Sequence, residues 1–425
     1  MPIKMTQSFA IPHIGYNDGI ARVRSLVVWL IFSTSFVVSF EPAPCDVMAI
    51  LSILFFILPG VNILPAVTPL FLLYLLFLIG YLTSYFVNGA DDRGAMFLAT
   101  SSYALLSSLF LACFISENTK KRFELVKSGL YVGGVIAAGI AMAAYVNPKG
   151  IGEALVKLGA SDLIRYGRAS GAFKDPNVFS TYLVFPVVML FQKVLLGQSK
   201  RMWITLLWLG LIFLALFLAF SRGAWINLVM ALALLILLTI MTTPSKATRS
   251  RIFFYSFVAI VFLAIVLTIL LSIPEIQAIF ADRFSLVKKY DVGERGRFGN
   301  QMNAIPLLLG MPFGLGPYRF DKFFSEAPHN AFLNAFSAAG WLGGLTYFTL
   351  VSLNIFIGIR TVFKPSPYQN HAILVFACLV AVTFQGIQID TEHWRHYYWM
   401  IGMMWGLFAA SVGPKQFSLF RKRQR

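Results

Sequence analysis

Charge is scarce in this chain: Asp, Glu, Lys and Arg together supply 12% of its 425 residues, against 58% hydrophobic ones. A water-soluble globular domain carries roughly twice that charged share, so that class is excluded, and a mean hydropathy of +0.74 assigns the chain to a bilayer. Cysteine is scarcer still, at three residues. Cys45 falls in a short loop, and Cys113 and Cys378 fall within apolar runs, so no disulfide framework or metal-binding spacing is present and no metal is expected. Acidic residues are the minority sign, 18 against 35 basic ones, for a formal charge of +17. Such an excess could serve nucleic acid, but its placement along the chain gives it another purpose.

A spanning helix needs roughly 20 apolar residues. Apolar blocks lie near 25–40, 47–64, 66–87, 95–115, 126–147, 178–196, 202–220, 223–241, 252–274, 331–359, 371–389 and 397–412, which makes about twelve transmembrane helices. The fold class expected is therefore all-α, a polytopic integral membrane protein forming one membrane domain over residues 1–425. No small-residue cleavage site follows a short apolar core near the N-terminus, so the first span is expected to act as its own uncleaved signal.

With both termini cytoplasmic, the inner segments hold twenty basic residues and only Asp18, Glu117 and Glu124 as acids, while the outer segments sum to zero. The whole net charge then lies on one side, as the positive-inside rule requires, and no nucleic-acid partner is implied. Two outer loops, 148–177 and 275–328, are much longer than the others. Each carries apolar residues at helical spacing: Ile151, Ala154, Leu155 and Leu158 in the first, and Ile276, Ile279, Phe280, Phe284 and Val287 in the second. Both read as amphipathic helices along the outer surface.

The spans hold almost no ionisable residue at mid-depth, which argues against an ion-coupled pump. Polar chemistry gathers in four outer segments instead. The first runs from Arg165 through Arg168 and Lys174 to Asp175-Pro176-Asn177; its cations suit phosphate, and Asp175 or Asn177 suits a helix cap. The second, Ser221-Arg222-Gly223, wedges an arginine between two apolar helices, where it either snorkels or meets an anion. The third sets Arg295 and Arg297 before a Gly310–Gly316 stretch, which reads as turns or a weak anion nest. The fourth, Pro328-His329-Asn330, opens a span, and a histidine there is either an interfacial cap or a general base.

Taken together these residues resemble the O-antigen ligase and polymerase superfamily of polytopic membrane glycosyltransferases. His329 and Asn330, followed after nine intervening positions by Gly340 and then by Gly343, match the ligase signature. Ser221-Arg222-Gly223 matches the family's turn, and Arg168 to Asn177 resembles its segment before a span. Arg297, fifteen residues before Pro312, matches the arginine that precedes the proline-glycine element, with Arg295 as its substitute. The position four after that arginine departs from the pattern: it is Gln301, where the family usually has Trp or Leu. The motifs span roughly 165–345.

The resemblance implies an undecaprenyl-diphosphate-linked glycan donor and an acceptor hydroxyl on lipid A core or on a second lipid-linked glycan, at the periplasmic face of a bacterial inner membrane. It implies His329, Arg222 and Arg297 as catalytic residues, with Arg165, Arg168, Lys174, Arg295 and Asn330 binding substrate. Inverting transfer without metal or other cofactor is expected, since guanidiniums can neutralise a departing diphosphate. A repeat-unit polymerase of O-antigen or exopolysaccharide is the alternative on the same fold, and a lipid-linked sugar transporter a more distant one.

Overall fold

The structure is a computed structural model, and it describes residues 18–39, 42–57, 64–157, 163–284, 293 and 296–422. Fifteen α-helices account for most of them: α1 (Asp18–Ser33), α2 (Pro44–Ile57), α3 (Thr68–Val87), α4 (Asp92–Glu117), α5 (Thr119–Val146), α6 (Glu153–Lys157), α7 (Pro176–Leu195), α8 (Met202–Leu218), α9 (Arg222–Thr242), α10 (Lys246–Leu271), α11 (Pro274–Phe284), α12 (Arg297–Leu309), α13 (Ala331–Phe363), α14 (Gln369–Gln385) and α15 (Arg395–Lys422). Among the described residues the only sheet is a hairpin, β1 (Ile164–Arg165) against β2 (Arg168–Ala169).

The all-helical membrane architecture expected from the hydropathy pattern is present. Seven helices, α3, α4, α5, α7, α9, α10 and α13, are long and apolar enough to cross a membrane, and α8, α14 and Pro44–Leu54 are shorter apolar helices. Without a hydrophobic drive between helices in lipid, close approach rests on small residues. A Cβ on Gly80 of α3 would meet the backbone N of Gly343 at 2.8 Å, so this pair of glycines lets two backbones touch. Helix α7 is almost wholly buried at the centre, whereas α10 buries only Ile252 among its residues and offers the rest of its apolar surface outward, as lipid requires.

Helix α13 is broken rather than continuous. Gly340 takes φ 65° and ψ −167° within it, and the freed Trp341 N–H donates to the Pro312 carbonyl at 2.9 Å. A Cβ at Gly340 would lie 2.4 Å from that carbonyl oxygen, so only glycine fits. The Gly310–Gly316 stretch is thereby accounted for as packing and not as an anion nest: the N–H groups of Leu315 and Gly316 donate to the Ser337 carbonyl at 2.8 and 3.2 Å.

Ion pairs sort the loops onto two ends of the bundle. At one end Arg395 meets Asp46 at 2.5 Å, Arg319 meets Asp91 at 2.8 Å, and Arg93 meets Asp321 at 3.0 Å. At the other, Arg122 meets Glu117 at 2.6 Å, and Lys127 and His371 share Glu124 at 2.5 and 3.4 Å. Helix α11 covers the start of the second expected amphipathic segment, with Ile276, Ile279 and Phe280 turned inward and Asp282 exposed. Phe280 stacks on Phe217 and Trp225, which seats α11 on α8 and α9. The side chain of Phe284, together with Val287, lies outside the described residues. In the first long loop α6 is a single turn, and Ile151 and Ala154 are exposed.

Candidate active site

The four motif segments meet at the end of the bundle that carries Asp46, Asp91 and Arg395. The hairpin turns at Tyr166 and Gly167, with φ 55° and 70°, and delivers Arg168 inward. Arg168 is 8% exposed; its Nε donates to the Ala219 carbonyl at 2.8 Å and its Nη2 to Asn177 Oδ1 at 2.7 Å. It thus ties the hairpin to the end of α8 and the start of α7. Asp175 is the cap of α7, accepting from the Asn177 N–H at 2.7 Å, which leaves the Asn177 side chain for Arg168. Arg165 donates to the Lys174 carbonyl, and both of these side chains are exposed on the same rim.

Phe220, with φ 45°, turns the chain from α8 into α9. Ser221 then caps α9, accepting from Ala224 N at 3.4 Å, and Arg222 becomes the first helical residue, half-buried at the helix N-terminus. Anions favour that position. Beneath the turn, Gly223 packs against Gln385, whose Oε1 accepts from Asn227 Nδ2 at 2.6 Å and from Thr181 Oγ at 3.2 Å. This buried amide cluster locks α7, α9 and α14 together.

The segment after α14 is the hub that sequence reasoning missed. Arg297, at the start of α12, donates to the Gln388 carbonyl. Asn330 donates from Nδ2 to the Ile387 carbonyl at 3.2 Å, and its Oδ1 caps α13 by accepting from Leu333 N at 3.0 Å. Asp390 accepts the backbone N–H of His329 at 3.3 Å and of Asn330 at 2.8 Å. Burial pushes the Asp390 carboxyl pKa up, while His329, those two N–H groups and Arg297 hold it down. Gly223 beside Arg222, the Arg297 side chain and the His329 backbone thereby all meet residues 385–390.

His329 itself has φ 47°, a strained conformation fixed from two sides, by Asp390 and by Gln301. Gln301 Nε2 donates to the Pro328 carbonyl at 2.9 Å and to the His329 carbonyl at 3.4 Å, so the departure from the family pattern has a physical role in bracing the histidine turn. Arg295 lies outside the described residues. Beside Asn330 an apolar cleft of about 540 Å³ opens between α12 and α13, lined by Leu308, Leu309, Leu333, Phe336 and Trp341. Helix α12 was not expected; Phe298, Met302, Ile305 and Leu309 recur along it at helical spacing and form its exposed stripe.

One turn deeper, Glu392 is 1% exposed and accepts from Asn334 Nδ2, with His393 Nε2 3.5 Å away. Burial raises the Glu392 pKa well above its ordinary value and lowers that of His393 to about 4, so burial disfavours the charged form of both. No group of three or more His, Cys, Asp or Glu suited to a metal occurs among the described residues.

Fold and site define a class: a polytopic helical membrane protein that gathers arginines, a histidine and a carboxylate at one end of its bundle, beside an apolar cleft. Residues 205–348 match the family model described as O-antigen ligase, which supports the superfamily resemblance and with it a membrane ligase or polymerase type of function. The matched segment contains Arg222, Arg297, His329, Gly340 and Gly343, whereas Arg168 and Asp390 fall outside it. No curated protein matches the chain.

Proposed function

We propose that this protein is a glycan transferase of the ligase type, moving an undecaprenyl-diphosphate-linked glycan onto an acceptor sugar hydroxyl at the periplasmic face of a bacterial inner membrane. Twelve crossings with both termini cytoplasmic would put the basic loops inside and the gathered site outside. The observation that carries the reading is that Gly223 beside Arg222, the Arg297 side chain and the His329 backbone all meet residues 385–390, opposite the basic end.

In this reading Arg222 and Arg297 grip the diphosphate, and Arg165 and Lys174 on the rim add positive field. Arg168 aligns the rim through Asn177, and Asn330 holds the histidine turn in place. The isoprenoid chain lies in the apolar cleft. His329 takes the proton from the acceptor hydroxyl as its oxygen attacks the anomeric carbon, and the bond from that carbon to the diphosphate oxygen breaks with inversion. Asp390 stabilises the imidazolium that results. The guanidiniums neutralise the departing diphosphate, so the step needs no divalent cation.

The test is transfer in vitro by the purified chain, with a native lipid-linked donor, EDTA throughout, and lipid A core or a second lipid-linked repeat as acceptor. Product on lipid A core supports the ligase; a ladder of longer lipid-linked chains makes the protein a polymerase. Arg222→Ala and His329→Ala are expected to abolish either product at normal abundance, and full activity in either variant refutes the reading.

A further inference from the structure

Four non-glycine residues among those described adopt a positive φ: Tyr166, Phe220, Tyr318 and His329. Strained backbone of this kind concentrates at functional sites. Three of the four fall in the turns already given roles, around Arg168, Arg222 and His329. Tyr318, at φ 54°, does not.

Its surroundings hold it rigidly. The next residue, Arg319, pairs with Asp91 at 2.8 Å and donates to the carbonyls of Asn88 and Gly89, fastening the loop to the α3–α4 turn. The Tyr318 ring rests on the edge of Phe97, centroids 4.8 Å apart at 90°, and lies beside His393 at 6.1 Å and 24°. Despite this bracing Tyr318 remains 48% exposed. On its rim stands the Arg93–Asp321 pair, with side chains 64% and 48% exposed and the Arg93 guanidinium 6.0 Å from the ring centre.

A fixed aromatic ring edged by exposed donors and acceptors of both signs is the complement of a pyranose, which has an apolar C–H face and a hydroxyl edge. Its place along the hub tells which sugar. Gln385 touches Gly223 beside Arg222, Asp390 accepts the backbone N–H of His329, and His393 touches Phe97 and lies beside Tyr318. In chain order along this segment the contact with His329 therefore falls between the one beside Arg222 and the one beside Tyr318. We infer that Tyr318, with Arg93 and Asp321, forms a saccharide-binding platform that holds the acceptor sugar on the far side of His329 from the diphosphate. The word acceptor rests on the proposed transferase function; saccharide binding does not.

The experiment measures saccharide binding by the full chain in nanodiscs, without donor, using saturation-transfer NMR and calorimetry. The probes are the core oligosaccharide freed from lipopolysaccharide by mild acid and the repeat-unit oligosaccharide freed from its lipid carrier. Tyr318→Asn removes the ring while tolerating the left-handed backbone, and Tyr318→Phe keeps the ring. At least one probe is expected to bind, about tenfold more weakly to the Asn variant and within about twofold of wild type to the Phe variant. In the transfer assay, Tyr318→Asn should raise KM for acceptor by the same factor and leave donor KM unchanged.

Absence of binding by the wild-type chain, or equal binding by the Asn variant, overturns the platform; an interfacial tyrosine anchored only in headgroups would give the latter. A rise confined to donor KM overturns its assignment to the acceptor. Failure of the transferase reading is separately visible, because Arg222→Ala and His329→Ala would then retain transfer whatever the binding result.

Discussion

Arg168 was legible as a phosphate-seeking cation, yet its geometry assigns it to the frame of the site. Its Nε and Nη2 donate at 2.8 and 2.7 Å to Ala219 and Asn177, and the residue is 8% exposed. Hydrogen bonds from a charged donor contribute about 1.5–3 kcal/mol each, so Arg168→Ala is expected to cost about 3–6 kcal/mol. Arg168→Lys, whose single ammonium cannot span both acceptors, should cost roughly half of that. The Ala variant also leaves the buried Ala219 carbonyl without this donor, which keeps the estimate toward its upper end. The assay is thermal melting in detergent alongside transfer: both Arg168 variants should melt below wild type, in the order Ala below Lys, and lose activity in step. Arg222→Ala, by contrast, should lose activity at an unchanged melting temperature. An Arg168→Ala protein that melts like wild type but has lost transfer would refute the structural role and return Arg168 to the substrate.

Asp390→Asn keeps an acceptor for the Asn330 N–H but loses the one for the His329 N–H and the charge near His329, and should lower transfer by about a hundredfold or more with a smaller drop in melting; a wild-type rate would remove Asp390 from the mechanism. Gly340→Ala sets a Cβ 2.4 Å from the Pro312 oxygen at a φ that L-residues avoid. It should therefore lower both melting temperature and activity, and a protein unchanged in both would show that the break in α13 is dispensable. His393, lowered by burial from 6.5 to about 4, binds a proton in the unfolded chain before the folded one. Its stabilisation is present above 6.5 and lost as pH falls toward about 4, at most about 3 kcal/mol, so His393→Phe should flatten that acid slope in melting curves. Glu392, raised well above 4.5, has the opposite sign: its stabilisation is complete below 4.5 and lost as pH rises through its folded value, and Glu392→Gln should remove that loss. Parallel slopes in wild type and both variants would contradict both shifts.

What was legible in the sequence follows from what is local. A run of 20 apolar residues such as α3 forms a helix and buries or exposes its sides wherever it lies, so each expected span overlaps a helix. Cations and a histidine placed at the ends of such runs, as at Arg222 and His329, are conspicuous because lipid makes polar groups costly. The hub was not legible because its bonds cross the chain: Asp390 reaches Asn330 over sixty residues, and Gln385 reaches Thr181 over 204. Nothing in the run Gln388-Ile389-Asp390-Thr391-Glu392 distinguishes it from an ordinary polar loop. Two further features were hidden for a related reason. Gln301 reads as a departure from a pattern until Pro328 supplies the carbonyl it serves, and Gly340 reads as a small residue in a helix until Pro312 shows that the helix is interrupted there. The residues that could touch substrate were therefore visible by type, whereas those that fix their positions were visible only by partner. Substitutions should separate accordingly: at Arg222 and His329 activity should fall alone, and at Arg168 and Gly340, which hold the frame, activity and stability should fall together.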